Sequence, residues 1–182
     1  MTEPSPSRAT PLADLLLHPI RWRIIQRVLG REVTTTDLRQ DLPDVPATTL
    51  YRHVAALIDG GVLTVVRERR IRGAVERTLT VDQSSDVAHI EEDEARAMTP
   101  DQHRRALLLV LTQLTADYDR VVERGYLDSR REQFGYNQMS LYVDSDDLDT
   151  LRRGLQALVE PYLRAAPGKD RITLSTVSLP DT

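Results

Sequence analysis

The sequence predicts a mainly helical α+β fold in two parts. The front part is three short helices closed by a β-hairpin, and the back part mixes longer helices with short strands. Three observations carry this reading. Apolar residues recur at three- and four-residue spacing through Leu12–Leu29, TTTDLRQDL and PATTLYRHVAALIDGG. After Gly61 the period changes to alternation, in VLTVVRERR and AVERTLTV. Charge then separates the halves: residues 1–81 carry 12 arginines against 9 acids, and residues 82–182 carry 12 cations against 19 acids.

The elements follow in order. Residues 1–11 are rich in Pro, Ser and Thr and are expected to form a disordered tail. The first helix runs to Leu29, with Pro19 either starting or kinking it and Gly30 ending it. In the second, Thr34 stands three residues before Asp37 as a capping box with the shorter acid, and Pro43 stops the run. The third has Pro46 in its first turn and Gly60-Gly61 at its end. A hairpin turning at IRG completes a domain over residues 12–83, and Ser84-Ser85 with the acidic run at 91–94 mark its boundary. Residues 84–182 form the second domain. Helices are expected at 86–97, at 100–124 behind a Thr99-Pro100 start, and at 146–165 behind DSDDL. QMSLYV at 138–143 and RITLSTVSL at 171–179 read as short strands.

Composition removes several classes of function. With 182 residues the chain makes one domain or two small ones, and 40% hydrophobic with 29% charged residues is a globular mix. The absence of cysteine excludes disulfides, thiolate metal sites and a cysteine nucleophile. No apolar run approaches the ~20 residues of a membrane span, and MTEPSPSRATP is no signal peptide, so a cytoplasmic protein away from the membrane is expected. Gly-rich phosphate loops, nucleophile elbows, H-E-x-x-H and paired-carboxylate settings are absent, so no enzyme is expected, and no cofactor or metal is called for.

The third helix carries the functional signal. On a wheel of ~100° per residue, Leu50, Val54, Leu57 and Ile58 fall on one side. Arg52 points almost opposite, with Thr48 and Thr49 near it and Tyr51 on a flank. An Arg among small neighbours lets a helix enter the DNA major groove, where guanidinium can bind guanine by two hydrogen bonds and Thr offers a hydroxyl and a methyl. Thr35, at the start of the second helix, joins the candidate contacts. Three short helices followed by a hairpin is the order of a winged helix-turn-helix. The hairpin adds Arg67, Arg69, Arg70 and Arg72 near Gly73, suited to phosphates or the minor groove. Alternation must turn some of them toward the protein.

On LHPIRWRIIQRVL, TTTDLRQDLPDVPATTLYRHVAALIDGGVL and RERRIRGAVERTLTV, residues 12–81 resemble the ArsR-type winged helix-turn-helix transcriptional regulators, in particular larger members with an added C-terminal domain. The resemblance implies a homodimer that controls transcription by binding a pseudo-palindromic duplex. The cysteine-based metal sensing of that family does not carry over, because the chain has no cysteine. The competing reading is a winged helix that binds protein and has lost DNA.

The back half leaves two options open. The 100–124 helix, with Leu107, Leu111, Leu114, Tyr118 and Val121 in one stripe, is either the centre of its own domain or pairs with its twin in a dimer. Tyr126, Phe134, Tyr136 and Tyr142, with Arg130, are candidates for a small-molecule effector pocket. Ordinary packing of a loop over a core produces the same clustering.

Overall fold

The structure is a computed structural model, and it describes residues 12–71, 74–81 and 97–180. Its elements follow the expected order at the front. Helices α1 (Leu12–Leu16), α2 (Pro19–Val28), α3 (Thr35–Asp41) and α4 (Ala47–Asp59) precede the hairpin of β2 (Thr64–Ile71) and β3 (Ala74–Thr80), and a two-residue strand β1 (Val33–Thr34) lies between α2 and α3. Behind them come α5 (Pro100–Glu123), α6 (Tyr126–Ser129) and α7 (Ser145–Val159), with single 3₁₀ turns at Arg131–Gln133 and Glu160–Tyr162. The chain is thus a mainly helical α+β protein with a small three-stranded sheet of order β1-β3-β2, both pairs antiparallel.

Local chemistry explains the front boundaries. The expected first helix is two helices, because Pro19 disfavours helical backbone at the residue before it. His18 is accordingly extended and caps α2, its Nδ1 accepting from the Ile20 N–H at 3.2 Å, with Pro19 in the first turn. The Thr34 and Asp37 side chains close a reciprocal capping box at α3. At the end of α4 the two glycines act differently. Gly61 takes φ +74°, a left-handed conformation, while a Cβ on Gly60 would stand 2.4 Å from Leu15 Cδ1.

The core lies in this front unit. Ile24, Ile25, Val28, Val33, Leu38, Leu50, Val54, Leu57, Leu63 and Leu79 are buried together, and Val65 packs partly buried against them. Arg23 forks onto the Asp44 carboxylate with two 2.7 Å hydrogen bonds, tying α2 to the α3–α4 turn. Arg31 holds Asp41 at 2.7 Å.

The chain divides into two compact units, residues 1–109 and 110–182, with the division inside α5. The boundary expected at 83/84 and the helix expected at 86–97 lie outside the described residues, Ala97 excepted. Thr99 and Gln102 exchange side-chain and backbone hydrogen bonds at the start of α5. In the second unit, Asp144 and Asp147 form another capping box at α7.

Two expectations for the second unit are corrected. Neither 138–143 nor 171–179 forms a strand. Alternation only prepares a segment for pairing, and a strand also needs a neighbouring backbone to receive its N–H and C=O groups. Leu141, Tyr142, Ile172 and Leu174 are exposed. Among the described residues of this unit none is buried. Its apolar side chains on α5 and α7, Leu111, Leu114, Tyr118, Val122, Leu151, Leu155, Leu158 and Tyr162 (the last in the following 3₁₀ turn), are open to solvent.

Candidate nucleic-acid interface

Helix α4 is built so that burial on one side aims chemistry out of the other. Leu50, Val54 and Leu57 are buried at three- and four-residue spacing. That anchoring leaves Thr48, Tyr51, Arg52 and Ala55 exposed and Thr49 half-buried. Arg52 is the sole Arg or Lys of α4. Among the described residues it has no ion-pair partner, so its guanidinium is available.

Thr35 is set deeper than these residues, in the wall of the cleft beside α4. It is 7% exposed, on the inner side of α3 one turn before the buried Leu38. The next residue, Thr36, is exposed, and its hydroxyl donates to the Glu76 carboxylate on β3, an attachment of hairpin to helix that the sequence pattern does not signal.

The hairpin carries its arginines on both faces. β2 pairs with β3 through Val65↔Leu79, Arg67↔Thr78, Glu68↔Arg77, Arg69↔Glu76 and Arg70↔Val75, with an irregularity at Val66. The extra residue shifts the alternation and leaves Val66 exposed. Arg67, Arg69 and Arg70 are all exposed, and Arg72 lies outside the described residues. Arg67 approaches Glu32 at 3.9 Å, and Arg77 donates to Glu68 at 2.9 Å. Between α4 and the hairpin lies a cleft of about 220 Å³ lined by Thr35, Tyr51, Val54, Ala55, Val75 and Arg77.

Behind Arg52, its neighbour His53 turns inward and is 8% exposed. Its ring lies 4.3 Å from that of His18, tilted by 43°. Burial holds both imidazoles below their ordinary value. Arg21 and Arg52 push the same way on each, His18 adds to the effect on His53, and a backbone hydrogen bond at His18 opposes the shift on that ring. Arg21 is itself desolvated, which lowers its own value. Its head donates to the Asp14 carbonyl at 2.7 Å, and its Nε is buried without a partner. The contact joins residues thirty-five positions apart, which no local sequence pattern signals.

The effector candidates are not gathered into one wall. The Arg130 guanidinium lies 4.7 Å over the Tyr126 ring and pairs with Asp170 at 3.2 Å, while Gln133 donates to Asp170 at 3.1 Å. Phe134 is half-buried, but Tyr136 and Tyr142 stand 78% and 99% exposed. No group of three or more His, Asp or Glu is placed to hold a metal among the described residues.

A family model described as a helix-turn-helix domain matches residues 16–66, the stretch from the end of α1 to the start of the hairpin. No curated protein matches the chain. The match and the geometry of α3 and α4 support a DNA-binding regulator of transcription. No helix among the described residues is long and apolar enough to cross a membrane.

Proposed function

We propose that the chain is a sequence-specific transcriptional regulator of the ArsR-like winged type. It acts as a homodimer on a pseudo-palindromic duplex, with residues 12–83 as the DNA-binding domain and 84–182 as the dimerisation domain. The observation that carries this reading is the open face of α4, where Thr48 and Arg52 stand opposite the buried Leu50, Val54 and Leu57. That face enters the major groove. Arg52 reads a base, most naturally guanine, while Thr48, Thr49 and Tyr51 reach neighbouring bases or phosphates. Arg67, Arg69 and Arg70, continued by Arg72, lie along the backbone or adjacent minor groove.

The dimer reading is supported by spacing and exposure together. Leu107, Leu111, Leu114, Tyr118 and Val121 on α5 follow alternating four- and three-residue steps, as do Leu148, Leu151, Leu155, Leu158 and Tyr162 along α7 and its terminal turn. Many of these side chains are exposed in the single chain, and a second copy covers them. The acidic back half is repelled by phosphate, which keeps it off the duplex. The chain needs no catalytic group or cofactor for this work. A small-molecule effector acting at the Tyr126–Tyr142 segment would meet Tyr136 and Tyr142 exposed in the single chain.

The test is titration of random and selected duplexes with the full chain at several salt concentrations, with its mass measured free and bound. The reading expects a dimer on DNA and an affinity falling with log[salt] by about 0.9 per phosphate contact. A monomer on DNA overturns the dimer. Binding that is absent or salt-insensitive overturns the DNA reading in favour of a protein-interaction module.

A further inference from the structure

We propose that His18 and His53 form an uncharged joint that seats α4 on the N-terminus of α2, and that protonation of this joint unseats the helix and weakens DNA binding in mild acid. The inference rests on the DNA-binding reading of α4 and adds two positioning residues to it. Neither needs to touch DNA.

The joint is defined by contacts. His18 caps α2 through Nδ1, which must be unprotonated to accept the Ile20 N–H at 3.2 Å. A proton on Nδ1 sets donor against donor and places a cation at the positive end of a helix. His53 lies on α4 immediately after Arg52, with its ring 4.3 Å from His18. Two imidazolium rings at that distance repel each other, and the burial of the His53 ring weakens screening by water.

The surrounding charges make this worse. From α2, Arg21 bears on both rings, and from α4, Arg52 does. From α1, Asp14 offers Arg21 its backbone carbonyl, and the Asp14 carboxylate accepts from Gln102 of α5 at 3.4 Å. Among the described residues no carboxylate acts on either ring. A new positive charge therefore meets arginines on two sides and no counter-ion. Relief comes from separating α4 from the start of α2, which moves the helix bearing Arg52.

The sign follows from the preference for the neutral form. Both rings hold their protons less tightly when seated than when released. The seat is therefore at full strength above the ordinary histidine value of about 6.5 and weakens as the pH falls below it. One proton coupled to release corresponds to a loss of up to about tenfold in affinity per pH unit below the transition. This runs against bulk electrostatics, since acid adds positive charge to the protein and by that route tightens its hold on phosphate.

The experiment compares duplex affinity, urea stability and imidazole NMR titrations of the full chain from pH 7.5 to 5.0 at fixed salt. It uses wild type, His18→Asn, which retains a capping acceptor but cannot titrate, and the double variant His18→Asn/His53→Phe, which also retains a ring at position 53. The other two of the four histidines stay in place. Wild type is expected to lose about tenfold in affinity for one coupled proton, with stability falling in the same window. The double variant should change less than about threefold, with His18→Asn between the two. If the double variant does not fold, His18→Asn and the wild-type titrations decide. Equal pH slopes in wild type and variants, or ordinary titration of both rings in wild type, overturn the joint. Failure of every form to bind duplex at pH 7.5 overturns the DNA-binding reading instead, and the stability slopes then judge the joint alone.

Discussion

Replacing Arg52 by alanine is the sharpest test of the interface. The residue is exposed on α4 and has no ion pair among the described residues, so the substitution breaks no ion pair, and folding stability at neutral pH should change by less than about 0.5 kcal/mol. Its contribution to DNA binding is also undiminished by a prior partner. Arg77, in contrast, must first give up Glu68 at 2.9 Å. A two-bonded guanidinium–guanine contact is worth about 1–3 kcal/mol of discrimination, or about 5- to 150-fold in affinity for the best site. Binding-site selection on wild type and Arg52→Ala, followed by salt titrations, separates a base contact from a phosphate contact. Arg52→Ala should flatten sequence preference at one position per half-site. Arg70→Ala should weaken all sequences alike and reduce the salt slope by about 0.9 per subunit. If Arg52→Ala loses affinity but keeps the wild-type preference, Arg52 is a phosphate clamp, and base reading falls to Thr48 and Thr49.

Four further outcomes are expected. Leu57→Ala opens a cavity at a side chain with no solvent exposure and should cost about 2–5 kcal/mol in urea melts; a loss under about 0.5 kcal/mol refutes its place in the core. Thr34→Ala removes the α3 cap and should cost about 1 kcal/mol. The Thr34 hydroxyl and backbone N–H hold the Asp37 carboxyl below its ordinary value. That stabilisation is complete above the ordinary carboxylate range and fades as the pH falls through the lowered value, so Asp37→Asn should remove part of the acid sensitivity seen in pH-dependent melts. Leu114→Asp places a charge in the exposed α5 stripe; sedimentation should show a monomer with weakened duplex binding, and an unchanged dimer refutes that seam.

What the sequence revealed divides along a physical line. Features determined by neighbours a few residues apart were legible: the Thr34–Asp37 box, the glycines that end α4, and the buried stripe Leu50–Val54–Leu57 that leaves Arg52 outside. Features determined by distant partners were not. The His18–His53 contact joins positions in different helices, and Thr36–Glu76 joins helix to hairpin. Strand β1 has two residues, too few for any period to show. The irregularity at Val66 shifts a register that alternation alone implies is regular. The depth of Thr35 was not legible either: the helical turn carries it inward with Leu38, into the wall of the cleft beside α4. The segments 138–143 and 171–179 alternate like strands but have no paired backbone among the described residues.

The openness of the second unit has a consequence for the life of the protein in a cell. From Val110 to Pro180 no side chain is buried in the single chain. On the dimer reading, this half acquires its interior only when two copies meet, so mass action joins local sequence in deciding how much of it is folded. Newly made or diluted chains would then present α5 and α7 to proteases, while paired chains would shield them. Turnover would be fastest when the regulator is scarce and slow once it accumulates, giving its own abundance a threshold without any additional ligand.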